Sequence, residues 1–259
     1  MGNKADSAIS LISVFTFLAV WHIFASLRLV DLPVPLDVLE AVYTLVFKGD
    51  PFYQKTLQEL TLASLKVVLA GSAISFLVAL PLGIMMGFLR RFELFANTVL
   101  ELIRPIPPLA WIPLGYIIFA RLDQPTFYVQ LLIVFMGAFF PLLVNTIAGV
   151  KSIDSIYFDA ARSCGAGQRY ILFKVVLPWA VPSIVTGLRV GLGVGWMSII
   201  AAEFIGGKTG IGYYIWSMYN IGGRTPEIIA GMIAVGFVSY LINKGVLFLE
   251  KRLTPWRYL

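Results

Sequence analysis

Six long apolar runs constrain this chain more than any other feature of its sequence. They occupy residues 9–27, 67–89, 105–120, 128–150, 180–205 and 228–249. A helix that crosses a bilayer needs about 20 predominantly apolar residues, and most of these runs are close to that length. Only 13% of the 259 residues are charged, against about 25% in soluble domains. The sequence therefore predicts an all-α, multi-pass protein of the cell membrane, with six transmembrane helices in one domain, residues 1–259.

The third run, residues 105–120, is the shortest and contains four prolines, among them Pro107. A proline has no N–H group, so it leaves a carbonyl of the preceding turn without its helical partner. Neighbouring helices must satisfy such carbonyls inside a membrane. We therefore expect this span to be kinked and to lie inside the bundle.

Lysine and arginine residues indicate how the six spans are oriented. If the N-terminus is cytoplasmic, most of the 20 Lys and Arg residues fall on the inner side, including Arg257, and fewer fall outside, among them Arg28. Membrane proteins concentrate such residues on the cytoplasmic side. Both termini and the segment 151–179 are therefore predicted to be cytoplasmic. The same bias explains the net charge of +6, which does not indicate a nucleic-acid partner.

Two segments on the predicted outer side have a recognisable pattern. Residues 35–47 show helical spacing of apolar side chains, which predicts a helix along the membrane surface. Tyr213, Tyr214, Trp216 and Tyr219 follow the fifth run. Aromatic side chains concentrate at membrane–water interfaces, so we expect these four to form an outer aromatic belt.

Two glycine-rich segments resemble known motifs. Residues 206–210, GGKTG, resemble a phosphate-binding loop, but the first glycine of that motif is replaced by Ala202. We therefore predict no nucleotide site. Gly187, Gly191 and Gly195 recur every four residues, a pattern that lets helices approach closely. We expect this face to pack against another helix, and self-association is a natural use of it.

The chain offers little catalytic or metal-binding chemistry. His22 is the only histidine, which excludes a multi-histidine metal site, and we expect it to be packed and hydrogen-bonded. Ion-driven carriers usually have ionisable residues deep within their spans. Here only Arg189 and Glu203 fall inside a run, both within reach of an interface. Energy for transport then has to come from a partner protein, and an ion-coupled secondary transporter or an intramembrane enzyme is the alternative.

A charged stretch between the fourth and fifth runs, DAARSCGAGQRYILFKVVLP, begins at Asp159 and ends at Pro178. Asp159 is placed to favour the start of a helix by complementing its dipole. Gly165 and Gly167 allow a turn that other residues resist. The stretch therefore predicts a short cytoplasmic helix that a partner protein contacts.

This stretch resembles the signature loop of permease subunits of ATP-binding-cassette (ABC) importers. That loop reads Glu-Ala-Ala, three residues, Gly, nine residues, Ile-x-Leu-Pro. Here Asp159 replaces Glu and Val175 replaces Ile, and both keep the charge or the shape. Residues 104–114, 137–150 and 201–215 resemble the branch of the family that imports nitrate, sulfonates, taurine or bicarbonate.

The resemblance implies an importer-type permease fold with a cytoplasmic coupling helix. It implies a homodimer, two cytoplasmic ATPase subunits docked on the two loops, and an extracytoplasmic solute-binding protein. ATP and Mg²⁺ are then bound by the ATPase subunits, so this chain holds no cofactor or metal and is not itself an enzyme. The residues implied in ATPase coupling are Asp159, Ala160, Ala161, Arg162, Gly165, Leu177 and Pro178.

Polar and aromatic residues within the spans are candidates for the translocation path. We select Pro107, Trp111, Asn145 and Ser198. Asn145 is a polar group in an apolar span and must find a hydrogen-bond partner, and packing between helices is the alternative role. Because carboxylates are sparse in the spans, a small anionic solute is compatible with this path.

The segment after the fifth run holds candidates for an outer gate or for contact with the binding protein. These are Glu203, Tyr213 and Tyr214. A purely structural re-entrant turn is the alternative for the same segment.

Overall fold

The computed structural model of the chain describes residues 4–27 and 31–255, with the side chains of residues 4–8 and 10 left out. Arg28 and Arg257, used above for orientation, lie outside the described residues. In chain order the helices are α1 (Lys4–Ser26), α2 (Pro35–Phe47), α3 (Leu57–Phe88), α4 (Arg90–Ile103), α5 (Ile112–Phe119), α6 (Pro125–Lys151), α7 (Ser155–Ser163), α8 (Gln168–Ile171), α9 (Leu177–Gly206), α10 (Ile211–Ile221) and α11 (Thr225–Leu253). The described part of the chain contains no β-strand, as predicted for an all-α protein.

Among the described residues, four helical segments are long and apolar enough to cross a membrane. They are α3, α6, the continuous helix Gln168–Gly206 and α11. A fifth span results if α4 and the helical segment Pro108–Phe119 are counted as one broken crossing. The described apolar part of α1, Leu11–Ser26, is shorter. The structure therefore confirms a multi-pass membrane protein, while the count of six spans stays a prediction.

The third predicted span, 105–120, is helical only from Pro108 onward. The segment Pro108–Phe119 begins with a 3₁₀ turn and is bent by 88° from α4. Twelve helical residues rise about 18 Å, less than the hydrocarbon core of roughly 30 Å. Pro107 is extended because the following proline disfavours helical geometry. The break expected from the prolines is present, at the start of this segment.

Only one face of this short segment is covered by the rest of the chain. Ile112 and Gly115 are buried, and α5 packs on α6. Ile117 on the opposite face is 74% exposed. The expectation that this span lies inside the bundle is therefore met on one side only, because a single chain has no further helix to cover the other side.

Helix α6 lies between α3 and α9 and forms the centre of the bundle. Glycines make both contacts close: a Cβ added to Gly83 of α3 would lie 2.7 Å from Cβ of Thr146. On the other side, a Cβ added to Gly191 of α9 would lie 2.9 Å from the carbonyl oxygen of Ala138. Backbones approach this closely only where no side chain intervenes.

The glycine face of α9 packs within the chain. A Cβ added to Gly187 would lie 2.8 Å from Cβ of Asn145, and Gly195 lies against Val134 of the same helix, α6. The prediction of close helix packing on this face is confirmed. Its use as a self-association axis is wrong, because α6 already occupies the face.

Two of the three apolar clusters of the described residues hold the two ends of the bundle, which are called outer and inner after the predicted orientation. The outer cluster includes Trp196, whose indole Nε1 donates to the carbonyl of Val235 at 3.1 Å and joins α9 to α11. The inner cluster includes Met86 and Val176 and carries the segment after α6. His22 on α1 is exposed, so the expectation that it is packed is wrong.

Candidate functional site

A short helix, α7, is present in the predicted loop, but it begins earlier than the sequence indicated. Asp154 is the N-cap of α7, and its carboxylate accepts the N–H of Ile156 at 3.1 Å. Asp159, which was expected to favour the helix start, is the fifth residue of α7. It is exposed and lies 3.7 Å from Arg162. The interpretation of Asp159 as the starting residue is therefore wrong, because Asp154 is positioned to cap the helix one turn before it.

Gly165 ends this helix in the way that the turn prediction requires. Its φ is +78°, in the left-handed region that favours glycine. Its N–H donates to the carbonyl of Arg162 at 2.8 Å, and the N–H of Ala166 donates to that of Ala161 at 3.0 Å. These bonds satisfy the last carbonyls of α7. Gly167, by contrast, has a φ of −76° that any residue can adopt.

One face of α7 is attached to the bundle and the other is free. Phe158 and Ala161 pack against the inner cluster, and the rings of Phe158 and Phe88 are 6.3 Å apart. Ile156 on the opposite face is 64% exposed, and Ala160 on that face is exposed as well. The helix thus presents a mixed apolar and charged surface next to a fixed apolar anchor.

The return from this loop is helical sooner than predicted. The loop was placed at 151–179, but helix resumes at Gln168 and continues through a π-helical turn, Leu172–Val176, into α9. Such a π turn accommodates an irregularity in a helix, and here it precedes Pro178, which has no N–H to donate. Leu177 is half-buried and Pro178 is exposed.

The two ends of the loop are tied to each other. The indole Nε1 of Trp179 donates to Oγ of Ser152 at 3.2 Å. The rings of Trp179 and Tyr157 lie 5.0 Å apart. These two contacts join α7 and the end of α6 to the start of α9.

A groove of about 350 Å³ runs between the start of the third span, α6 and α9. Asn145 and Arg104 are its polar and charged residues, and no carboxylate lines it. The side-chain amide of Asn145 donates to the carbonyl of Pro141 at 2.8 Å, so its partner is its own helix. Asn145 therefore lines a groove, and its role in a translocation path stays a prediction.

The other path candidates lie at or behind this groove. Ser198 is buried behind Gly137, whose added Cβ would lie 3.0 Å from its Oγ. Pro107 is exposed, between two residues that line the groove. The buried indole Nε1 of Trp111 has no hydrogen-bond partner in the described part of the chain. Arg104 was not selected from the sequence, although its position directly before the prolines signalled it.

Glu203 is buried at the outer end of α9 and is 1% exposed. Its carboxylate accepts the hydroxyl of Ser64 at 2.7 Å and the N–H of Gly212 at 2.8 Å. Oγ of Ser64 in turn accepts the N–H of Ile211 at 3.0 Å. Gly210, with φ +107°, leaves no room for a side chain beside this carboxylate. Glu203 thus joins α3, α9 and the N-terminus of α10, where a negative charge is favoured.

A second buried carboxylate, Asp50, organises the outer loops. It accepts the N–H groups of Phe52 and Tyr53, at 2.8 and 3.0 Å. It also accepts the hydroxyl of Tyr214 at 3.0 Å and the guanidinium of Arg224 at 2.7 Å. Burial by itself raises the pKa of Asp50, but these four donors outweigh it and hold the pKa below its ordinary value of 3.8.

The expected aromatic belt is therefore divided. Tyr214 is fully buried. Tyr213 is half-buried, and its ring lies next to the ring of Tyr53. Trp216 and Tyr219 are exposed and their rings stack at 5.4 Å. The belt interpretation is wrong for Tyr214, because its hydroxyl is required by the buried carboxylate of Asp50.

A family model described as the binding-protein-dependent transport system inner membrane component matches residues 79–257. The chain belongs to this family. It is a permease subunit of an ABC importer, and the alternatives of a secondary carrier or a membrane enzyme are not favoured.

Relatives of this permease cover nearly all of its length. The taurine transport system permease protein TauC of Escherichia coli is 34% identical over 96% of this chain and 89% of its own length. The nitrate import permease protein NrtB of Synechocystis is 32% identical over 94% of this chain and 88% of its own length. The bicarbonate transport system permease protein CmpB of Synechococcus elongatus is 34% identical over 93% of this chain and 87% of its own length.

Among solved structures, the permease is similar to a chain of the MetNI methionine ABC transporter in an inward-facing conformation. The TM-score is 0.64, the identity is 18%, and the match covers 74% of this chain and 93% of that chain. This likeness confirms the importer-type permease fold. Membership of the family also implies ATPase and binding-protein partners, while the roles of individual residues stay predictions.

Proposed function

We propose that this permease imports a small anionic solute of the nitrate, bicarbonate, sulfonate or taurine class, delivered by an extracytoplasmic binding protein. The names of its relatives support this class. The groove supports it too, since Arg104 is the one charged residue among those that line it. An unbalanced positive charge attracts anions and repels cations.

The proposed assembly contains two copies of the permease with six spans each, and both termini in the cytoplasm. The groove supports the pairing because it lies on the surface of one chain, with Arg104 exposed. A path for a polar solute must be enclosed by protein. A second copy placed over the groove encloses it.

Two cytoplasmic ATPase subunits bind and hydrolyse ATP, and each docks on one coupling loop. The observation that carries this proposal is the free face of α7, held on a helix whose other face is anchored in the bundle. Asp159, Ala160 and Arg162 lie on exposed parts of α7 and contact the ATPase. The remaining residues of the predicted set position this face: Ala161 by packing inward, Gly165 by ending the helix, and Leu177 and Pro178 by shaping its return.

Cys164 is a native probe of this proposal. It is the only cysteine, it is exposed, and it immediately follows α7. A membrane-impermeant maleimide is expected to label it in inside-out vesicles and to leave it unlabelled in intact spheroplasts. Saturation with the cognate ATPase subunit is expected to slow the labelling roughly tenfold or more, because docking buries the thiol.

The Cys164→Ser variant gives the background of this labelling. Labelling in intact spheroplasts would place the loop outside and reverse the proposed orientation. A labelling rate that is the same with and without the ATPase subunit would contradict docking at α7.

A further inference from the structure

A second cavity, of about 510 Å³, lies at the end of the bundle opposite to the coupling loop. It is formed by α3, the N-terminus of α6 and the loop after α9. Its lining residues include Lys66, Lys208 and Thr209. Lys208 and Thr209 belong to the segment GGKTG, which lacks the first glycine of a phosphate-binding loop. None of these residues has a part in the proposed function.

The charges around this outer cavity match one monovalent anion. Lys66 and Lys208 are exposed, and neither forms an ion pair within residues 4–27 and 31–255. Asp123 is the one acidic residue in the lining. Two lysines and one aspartate leave a net charge of one positive unit, which a single negative charge balances.

Uncharged donors complete the outer cavity. Gln130 is only 7% exposed, lines the cavity, and has no hydrogen-bond partner in the described part of the chain. Its amide is not fully enclosed, unlike Oγ of Ser72 or Nε1 of Trp111, so it can form hydrogen bonds with a ligand or water in the cavity.

The N-terminus of α6 lies in the same wall and has no side-chain cap. Phe127 and Tyr128 donate their N–H groups to the carbonyl of Gln124. This leaves the N–H of Thr126 as the backbone donor that an anion can use.

The outer cavity and the groove share one face of α6. Thr126 and Gln130 line the outer cavity, while Gly137 and Pro141 line the groove. Spacings of four, seven and four residues return to the same side of an α-helix. Seven residues span about 10 Å along the helix axis, and Ile133 and Val134 between them are fully buried. The cavity and the groove are therefore separated by a short packed segment of α6.

We propose that Lys66, Lys208 and Gln130 form an outer binding site for a monovalent oxyanion on its way to the groove. This inference rests on the proposed import of an anion and names the place where the permease first holds it. The buried position of Gln130 favours a small ion over a protein side chain, because the ion can reach the amide at the bottom of the cavity.

The test is an anion titration of the full-length permease in phosphatidylcholine nanodiscs. Sodium nitrate and sodium methanesulfonate replace sodium gluconate at constant ionic strength, and the unfolding temperature is followed by tryptophan fluorescence. Both probes are expected to stabilise the permease in a saturable way. In Lys66→Gln/Lys208→Gln the half-saturating concentration is expected to rise roughly tenfold or more, since hydrogen bonds to charged groups are the strong ones.

Two further variants separate site binding from a general charge effect. Lys48→Gln removes an exposed lysine outside the cavity and is expected to leave both titrations unchanged. Asp123→Asn removes the opposing negative charge and is expected to lower the half-saturating concentration of both anions. Equal titration curves for the wild type and the double lysine variant would overturn the site. A rise in the half-saturating concentration by Lys48→Gln as large as that of the double lysine variant would also overturn it.

Capture of the cognate binding protein distinguishes an anion site from a docking surface. If the double lysine variant loses this capture while its nitrate titration is unchanged, the cavity holds an acidic side chain of that protein and the inference is wrong. The titration uses neither the ATPase nor uptake. Its failure therefore leaves the importer proposal intact, and failure of the Cys164 protection leaves this site intact.

Discussion

At the scale of single residues, two buried carboxylates hold the outer end of the permease together. Glu203 binds Ser64 and the start of α10. Asp50 binds Tyr214 and Arg224, and Arg224 also pairs with Glu227 at 2.7 Å. Both carboxylates are about 1% exposed, so neither is placed to contact a binding protein directly. Their positions instead fix the loops that such a protein meets.

Replacing Asp50 by asparagine is expected to destabilise the permease by about 2 kcal/mol at pH 7, because hydrogen bonds to a charged acceptor are lost. The exposed Asp31→Asn is the matched control and is expected to have no effect. The measurement is thermal unfolding in detergent.

The pH dependence of this stability gives an independent check. The pKa of Asp50 is lower in the folded state than its ordinary value of 3.8. The stabilisation by Asp50 is therefore complete at neutral pH and is lost only as the pH falls below about 3.8 through the folded pKa. A difference between wild type and Asp50→Asn that already disappears near pH 6 would contradict this account.

At the scale of elements, α7 is defined by its two ends. Asp154 caps its start, and Gly165 allows the turn that closes its last carbonyls. Neither Gly165 nor Gly167 has an atom within 4 Å of an added Cβ. The two glycines therefore differ in backbone conformation alone, which makes them a matched pair.

Gly165→Ala is expected to cost about 1 kcal/mol, because alanine is strained at positive φ, and to weaken ATPase binding roughly fivefold. Gly167→Ala is expected to leave binding unchanged, since its φ of −76° suits alanine. The effect of each substitution on binding is measured as the affinity of the purified ATPase subunit for the variant in nanodiscs. Equal effects of the two substitutions would show that the turn geometry is not what positions α7.

At the scale of the whole molecule, one chain is an incomplete transporter. Apolar side chains cover its outside, as lipid contact requires, yet the groove with Arg104 is open on the same surface. A path for a polar solute must be enclosed by protein. The open groove therefore supports the proposed pairing with a second copy.

Co-expression of two differently tagged copies tests this pairing. We expect that purification through one tag in mild detergent recovers the other tag at about half the amount of the first, because equally expressed copies that pair at random form one mixed dimer for every two dimers. Native mass spectrometry of the product gives the stoichiometry. A complex that contains a single permease copy and still transports would contradict the homodimer.

The sequence by itself determined features that depend on near neighbours in the chain. Apolar runs predicted the long helices, because crossing a bilayer requires a continuous apolar segment. Gly165 was predicted to form a turn, and its φ of +78° confirms this. The signature loop identified the family, since its residues lie within twenty positions of each other.

Only the tertiary structure decided which distant residues meet. Asp50 and Arg224 are 174 positions apart, and Ser64 and Glu203 are 139 apart. No local pattern pairs them, because their contact depends on how α3, α9 and α10 pack. The same holds for the glycine face of α9, whose spacing predicts a close neighbour but not which helix that is. Helix formation is a local property of the backbone, whereas packing selects one arrangement from the surfaces that many helices offer.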